Sequence, residues 1–578
     1  MSNKILADIF DEIADMISVD DTPNSKFEVR AYKKAALTIG TLQEPIEQIY
    51  ANGGKDALMN LPGIGKGLAE KIEQYLKTGK IQRYEELKKK YPIEMGKLTS
   101  IQGLGPKTAV ELYRSLGVKN IEDLRKALRS HKVAGLPGFG PKSEELLTTG
   151  LQLLDSSQGR MLLGDAMPEA EQIVAALLKS GLVDKALIAG STRRMRETIG
   201  DLDILATSKS PEKVSDFFSK MPSVEHVIVK GPTKTTVWLK IGLSCDLRVI
   251  DPDSFGAALQ YFTGSKDHNV QVRQIAVKKG YKLNEYGLFD KKDGLLSSKD
   301  EEEIYGLLGM QWMPPEMREA RGEVALAMEH KIPRLVELGD LKGDMHTHTK
   351  ETDGANTIEE MASAAMGANL QYIAVTNHTK SLPVAYGMDD KKFLAFFKKI
   401  DKLNDKLGGK FRILKGGEVD ILKDGSLDLE PATLKQMDCV VGSVHSYFKM
   451  SEDEMTKRIN KALDTGLVTI LGHPTGREVN GREPYPVRLE KVAESAERNG
   501  VALEIDAFPS RLDLNDTNIM RVSNYKIKFS IDSDAHRSSH FGFLRYGVGT
   551  ARRGWLTKER VLNSQSLRDI TKSIDSRK

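Results

Sequence analysis

From residue 341 onward, short apolar runs keep ending on a histidine or an acid. YIAVTNH ends on His378, FRILKGGEVDI carries Glu418, DCVVGSVH ends on His445, LVTILGH ends on His473, and FSIDSDAH supplies Asp534 and His536. GDMHTHTKETDG adds His346 and His348, one residue apart and so on one strand face, with Asp353 on the following loop. The stretches between these runs read as helices, and such alternation predicts a parallel α/β sheet or barrel. In a barrel the strand ends meet at one mouth, where active sites lie. A single histidine at a strand end is usually structural, but this set takes six of the chain's 11 histidines. Imidazole with carboxylate suits Zn2+, Mn2+ or Fe2+ rather than Mg2+. Nine potential ligands are too many for one ion, so two or three ions are expected, bound where they could hold a phosphate and activate water.

A second acidic pattern lies in GDLDIL, residues 200–205. On a strand, Asp201 and Asp203 point one way while Leu202 and Ile204 point into a core. Two carboxylates about 6 Å apart repel by about 3 kcal/mol at an effective dielectric of about 20. Asp246, in CDLRVI, offers a third carboxylate on another strand. Three converging carboxylates form a hard-oxygen site for Mg2+ or Mn2+, which usually also takes substrate phosphates. Upstream, Gly190 and Ser191 follow the strand-like ALIAG, and Arg193, Arg194 and Arg196 offer guanidinium partners for a triphosphate. The competing reading is a structural ion network between these arginines and the aspartates.

Residues 1–150 read as helices joined by short loops. A glycine–apolar–glycine turn opens a helix three times, in LPGIGKGLAEKI, IQGLGPKTAVEL and LPGFGPKSEELL. Gly63 and Gly65, Gly103 and Gly105, and Gly138 and Gly140 let backbone N–H groups approach a phosphate, where the helix dipole adds to the attraction. Lys66, Lys107 and Lys142 follow at similar offsets and can neutralise DNA backbone charge. This is the helix-hairpin-helix pattern, which grips DNA without reading its sequence. Lys71, in the first repeat, is either a solvated helix lysine or a Schiff-base nucleophile for an abasic sugar.

With 40% hydrophobic residues and 29% charged, the 578-residue chain can bury several cores. A net charge of +4 means that any nucleic-acid surface must be local. Two cysteines, Cys245 and Cys439, fit a reducing compartment. The N-terminus does not read as a signal peptide, and no apolar run reaches the ~18 residues of a membrane span. A cytoplasmic protein without membrane contact is expected.

The order Gly-Ser, Asp-x-Asp and distant strand Asp, followed by YFTGSKDHNVQVR from Tyr261, resembles the family X DNA polymerases. The resemblance implies that Asp201, Asp203 and Asp246 are the metal triad, with Asp246 the general base. It implies that Gly190, Ser191 and Arg194 bind the triphosphate. Tyr261, Phe262 and Gly264 would line the sugar and discourage a 2′-hydroxyl, while Asn269 and Arg273 would face the minor groove of the nascent pair. Lys71 falls at the family's lyase lysine. The vertebrate repair member has a lysine where Gly67 stands and an arginine where Ser244 stands, so the 5′-phosphate grip and the primer end differ here. The histidine half resembles the PHP (polymerase and histidinol phosphatase) domain, a distorted (β/α)7 barrel, with all nine metal positions filled. Asn377 replaces the usual aspartate and Asp506 a common asparagine. Arg477 and Arg511 are candidates to touch substrate phosphate.

The expected architecture is therefore a multidomain α/β chain. It has a helical lyase-like region (1–85), two further helix-hairpin-helix repeats (86–155), a nucleotidyltransferase palm like that of polymerase beta (156–252), a nascent-base-pair subdomain (253–312), a linker (313–340) and the PHP barrel (341–575). The expected function is short-gap filling in DNA repair by a monomer that takes gapped or primer–template DNA and dNTPs. The PHP half would be a Mn2+-favouring 3′–5′ exonuclease or 3′-end phosphoesterase. Two other readings remain. One is a phosphoesterase or abasic endonuclease whose polymerase half only holds DNA. The other is a non-enzymatic DNA-binding scaffold.

Overall fold

The computed structural model describes residues 2–20, 25–40, 46–61, 63–99, 101, 104–141, 143–148, 151 and 160–575. The N-terminal body is helical. In the helix Ser2–Val19, Leu6, Phe10, Ile13 and Met16 recur at helical spacing and are fully buried. They form one core with Ala35 and Ile39 of Ser25–Gly40, Ile72 of Lys66–Thr78 and Leu112 of Pro106–Leu116.

The palm is a five-stranded sheet of β1 (Lys185–Ile188), β2 (Asp201–Thr207), β3 (Val224–Lys230), β4 (Lys234–Leu239) and β5 (Ser244–Ile250), in the order β1-β2-β5-β4-β3. Only β2 and β5 pair in parallel, and their register sets Asp203 beside Asp246 and Asp201 beside Ser244. The alternate residues Leu202, Ile204, Cys245 and Leu247 are buried on the other face, as a half-covered sheet requires. Beyond the palm come the helices Phe255–Thr263 and Lys266–Lys278, a small antiparallel sheet, and the helix Glu301–Leu307.

Residues 313–340 pack tightly rather than span open space. Arg318 is fully buried, donating to Glu301 at 2.6 Å and to the Met313 carbonyl at 2.8 Å. Glu323 meets the buried His268 ring at 2.7 Å.

The C-terminal half is a seven-stranded parallel sheet in sequential order: β6 (Gly343–Thr347), β7 (Tyr372–Val375), β8 (Arg412–Asp420), β9 (Cys439–Ser443), β10 (Ile470–Leu471), β11 (Ala502–Asp506) and β12 (Phe529–Asp532). A bridge between Thr347 and Ala535 brings its edges together, so the sheet is nearly a closed barrel. One end of the interior is apolar: Met345, Tyr372, Leu414, Val441 and Ile470 pack there against Ile570 and Ile574 of the helix Leu567–Asp575. That plug leaves the polar side chains to the opposite mouth. No helix of the described residues is long and apolar enough to cross a membrane.

Palm and barrel are joined directly. Leu512 and Tyr546, from the C-terminal half, belong to the palm's hydrophobic core. Around them run ion pairs from Arg477 to Glu197 (2.6 Å), Arg553 to Glu319 (2.9 Å) and Asp516 (2.7 Å), Arg552 to Glu316 (2.8 Å) and Arg545 to Glu171 (3.0 Å). Burial opposes ionisation of Glu319 and Asp516, yet the adjoining arginines hold both down at about 2. A carboxylate depressed in the folded state stabilises above its unfolded value of about 4 and loses that contribution as pH falls toward its folded value. Each such shift is worth on the order of 3 kcal/mol. Thermal unfolding between pH 6 and pH 2 should therefore show steep destabilisation below pH 5. Glu319→Gln should lower stability at pH 6 by a few kcal/mol and remove about one proton from that slope; an unchanged slope would count against the network.

Two candidate catalytic centres

In the palm, the turn Gly190–Arg193 is tied to β2 by the Ala189 N–H, which donates to the Asp203 carbonyl at 2.8 Å. Gly190 has φ 61, and a Cβ there would collide with the Asp203 carboxylate, so only glycine allows this approach. Burial, then the charges of Asp201 and Asp246, push the Asp203 carboxyl up to about 7. Asp201 is exposed but raised in the same direction, by desolvation and by Asp246. Asp246 accepts from Thr236 Oγ1 at 2.6 Å and pairs with Lys234 Nζ at 2.7 Å. Among the described residues only Lys234 makes an ion pair with this three-carboxylate face; Arg160, Arg194 and Arg248 act on Asp201 and Asp203 from farther off, and the neighbouring acids and burial outweigh them. A cluster short of positive charge is what a divalent cation fits.

Of the three arginines beside this turn, Arg193 is committed to Glu301 (2.8 Å) and Thr263. Arg194 is buried and gives its Nε to Glu319 at 3.0 Å, and Arg196 reaches the same carboxylate at 3.4 Å. Tyr261 and Phe262 meet edge to face at 5.0 Å, with Arg248 over the Phe262 ring at 4.3 Å and Arg273 5.9 Å from the Tyr261 ring. Gly264 follows with φ 68. Asn269 is buried, donates to the Tyr261 carbonyl at 2.7 Å and accepts from Gln260 at 2.9 Å, so both ends of its amide face inward.

In the barrel, the strand ends bring all nine expected groups together. Glu418 is the hub: His378 Nδ1 lies 2.8 Å from its carboxylate, His473 Nε2 2.9 Å, His445 Nε2 3.1 Å, His346 Nε2 3.5 Å and His348 Nε2 3.6 Å. Three overlapping sets could each hold an ion: His348, Asp353, His378 and His536; His346, His348 and Asp534; and His378, Glu418 and His445. Among the described residues the buried ring nitrogens His346 Nε2, His348 Nδ1 and Nε2, and His473 Nδ1 have no hydrogen-bond partner. Orphaned imidazole donors beside carboxylates fit transition-metal ions. Burial, with His536 and His378 alongside, pushes His348 down to about 3, while burial and Arg511 push His473 down to about 4. Burial also pulls on His378, but Glu418 and Asp353 more than reverse it and hold that ring up at about 10. His473 (φ 24) and Asp534 (φ 48) sit in left-handed backbone, a strain often found at functional sites.

The rings are oriented by carboxylates that the sequence reading passed over. Glu504 accepts from His346 Nδ1 at 2.7 Å, and Asp420 lies 3.2 Å from His445 Nδ1. Metal-ligating histidines usually need such a partner. Each stands two residues from a singled-out acid on the same strand, Asp420 from Glu418 and Glu504 from Asp506, and that spacing was the available signal. Asn377 is buried and accepts from the N–H and hydroxyl of Thr349 (2.9 and 3.1 Å) and the hydroxyl of Thr352 (3.2 Å), bracing the loop that carries Asp353. Asp506 faces Arg511 at 3.4 Å, and Arg511 also approaches Asp534 at 3.9 Å. Arg477 turns away from the mouth: it bonds Glu197 and the carbonyls of Arg511 and Leu512.

In the helical region, Gly65 and Gly105 cap Lys66–Thr78 and Pro106–Leu116 with no side-chain cap, and Lys66 and Lys107 are exposed beside them. Gly63 and Gly138 occupy matching left-handed turns, φ 83 and 81, and Gly140 follows the second. Gly103 and Lys142 lie outside the described residues. Lys71 donates to the Gly67 carbonyl at 3.1 Å and lies 5.9 Å from the Tyr32 ring centre.

Helix-hairpin-helix repeats, a triad-bearing palm with its thumb, and a histidine-lined barrel define a nucleotidyltransferase joined to a PHP domain. The chain matches family models for a helix-hairpin-helix domain (residues 1–81), a SAM-like helix-hairpin-helix tandem (95–152), the DNA polymerase beta thumb (258–319) and the PHP domain (344–507). It is 37% identical to DNA polymerase/3′-5′ exonuclease PolX of Bacillus subtilis (strain 168) over 550 residues, 95% of each chain. A probable phosphatase of Thermoanaerobacter sp. (strain X514) is 33% identical over 232 residues, 38% of this chain and 89% of its own. DNA polymerase lambda of Arabidopsis thaliana is 25% identical over 355 residues, 55% of this chain and 62% of its own. The chain belongs to the family X DNA polymerases that carry a PHP domain.

Glu418→Gln weakens a hub that touches five rings. Elemental analysis of the purified variant should show at least one transition-metal ion per chain fewer than the wild type. Unchanged metal content would contradict the hub role.

Proposed function

We propose that this protein fills short gaps in DNA at the palm and trims primer ends at the barrel, acting as a cytoplasmic monomer divided as the sequence reading sets out. The observation that carries the synthetic half is the parallel register of β2 and β5, which sets Asp203 beside Asp246 with Asp201 on the same face. Bound divalent ions, Mg2+ or Mn2+ at the palm and two or three Mn2+, Zn2+ or Fe2+ at the barrel, supply Lewis acidity toward phosphate oxygens and acidify the attacking hydroxyl or water.

Asp201, Asp203 and Asp246 hold the palm ions, and Asp246 takes the proton of the primer 3′-hydroxyl. Lys234, which neutralises Asp246 in this structure, competes with a cation for that carboxylate. Gly190, Ser191 and Arg194 receive the triphosphate of the dNTP. Tyr261, Phe262 and Gly264 wall its sugar, where a 2′-hydroxyl would meet carbon rather than water. Arg273 approaches the new base pair, while Asn269 fixes the end of the wall through the Tyr261 carbonyl. The glycine turns at 63–65, 103–105 and 138–140, with Lys66, Lys107 and Lys142, hold the DNA backbone.

In the barrel, His346, His348, Asp353, His378, Glu418, His445, His473, Asp534 and His536 hold ions for 3′–5′ exonuclease chemistry, and Arg511 steadies the scissile phosphate. Lys71 is the nucleophile of a 5′-deoxyribose-phosphate lyase, in the second turn of the helix Lys66–Thr78 with the Tyr32 ring centre 5.9 Å away.

A gapped, labelled primer incubated with and without dNTPs separates these activities. Asp203→Ala should lose extension by about a hundred- to a thousandfold and keep 3′ trimming; His348→Ala should do the reverse. Loss of both activities in either variant would argue for one shared site. Absence of extension by the wild type would leave the phosphoesterase reading. On the same gap bearing a 5′-deoxyribose phosphate, borohydride should cross-link the wild type and not Lys71→Ala; equal trapping would remove the lyase role.

A further inference from the structure

The triphosphate turn of the palm is not built by the palm alone. The helix Leu544–Arg553 belongs to the barrel half and lies against both halves through two glycines. A Cβ on Gly547 would stand 2.6 Å from Ala507 of the barrel half, and a Cβ on Gly549 would stand 2.6 Å from Met195, the residue after Arg194. A methyl at 549 would displace the end of the Met195 side chain and crowd its Cβ at 3.0 Å, close to the turn's backbone.

At the helix end, Arg553 is nine-tenths buried or more and makes three polar contacts. Its NH1 donates to the backbone carbonyl of Arg194 at 2.8 Å and to Glu319 Oε1 at 2.9 Å. Its NH2 donates to Asp516 at 2.7 Å. Glu319 Oε1 also receives Arg194 Nε. One barrel-half guanidinium thus touches the backbone of Arg194 directly and its side chain through one carboxylate. Arg194 NH1 is spent on the Thr263 carbonyl, just before Gly264 of the sugar wall. The remaining edge of its guanidinium points only where these bonds allow.

We propose that Arg553 is a positioning residue for the incoming nucleotide: from the barrel half it fixes Arg194 in the place where the palm receives the dNTP triphosphate. The proposal rests on the reading of Arg194 as a triphosphate ligand. With its donors bonded to three acceptors, the planar guanidinium of Arg553 has its orientation fixed, and with it that of the groups that accept from it. A displacement of about 1 Å at a binding arginine can cost up to about a hundredfold in rate. Lysine at 553 would keep the charge but could not make all three bonds in the planar arrangement of a guanidinium.

The experiment measures gap filling at varied dNTP concentration, with 3′ trimming measured on the same preparations. Arg553→Lys and Gly549→Ala should each raise the KM for dNTP about tenfold with kcat changed far less, and leave trimming within about twofold. Arg194→Ala serves as the control for the underlying reading. If Arg194→Ala leaves the KM for dNTP unchanged, the ligand reading fails and this proposal falls with it. If Arg194→Ala raises that KM while both other variants, folded and trimming normally, leave it unchanged, the positioning role alone is overturned. A parallel loss of extension and trimming in both variants would mean that Arg553 only holds the fold, and would also overturn it.

Discussion

Parallel strand pairing is the constraint from which both centres follow. Parallel neighbours run at matched heights, so residues far apart in sequence end at one level. In the palm this happens once, between β2 and β5, and sets Asp203 against Asp246. In the barrel it happens along the whole sheet from β6 to β12, and gathers ligands from His346 to His536.

The cost of that convergence is charge. Asp203 is held up at about 7 by burial and by its two acidic neighbours, although Arg248 and Lys234 pull the other way, and among the described residues only Lys234 is in ion-pair contact with the three carboxylates. In the barrel, rings pushed far down and rings pushed far up stand within one cluster: His348 at about 3, His445 at about 9. Neither arrangement suits a purely structural core, which would pair its charges one to one. Both become favourable when cations enter. The knot of Arg553, Glu319, Asp516 and Arg194 shows the contrasting case, with opposite charges in contact and both carboxylates held down at about 2. Fixed pairing serves the frame, and unmet charge serves the sites.

Much of this was readable before the fold was known, because period-two spacing is local. Asp201 and Asp203, His346 and His348, and the strand-end histidines all announce themselves within a few residues. Glu504 and Asp420 carried the same spacing beside acids already singled out, yet their work on the rings depends on which strands become neighbours. The partners of Arg477 and Asn269 could not be read from the sequence. Arg477 finds Glu197 across 280 residues, and Asn269 is turned inward by Gln260 and the Tyr261 carbonyl. The sequence reads residues 313–340 as a linker, because nothing local shows what its charges meet. Arg318 and Glu323 are instead buried against Glu301 and His268, partners that only the folded chain supplies.

The central claim is that cations resolve the charge left over at both centres. Anomalous diffraction at the manganese edge, from crystals soaked in Mn2+, tests it directly. The account predicts density among Asp201, Asp203 and Asp246 with Lys234 moved off Asp246, and separate peaks inside the three ligand sets of the barrel mouth. Lys234 still paired to Asp246 with no palm density, and histidines still bonded to their carboxylates with no ion between them, would contradict it.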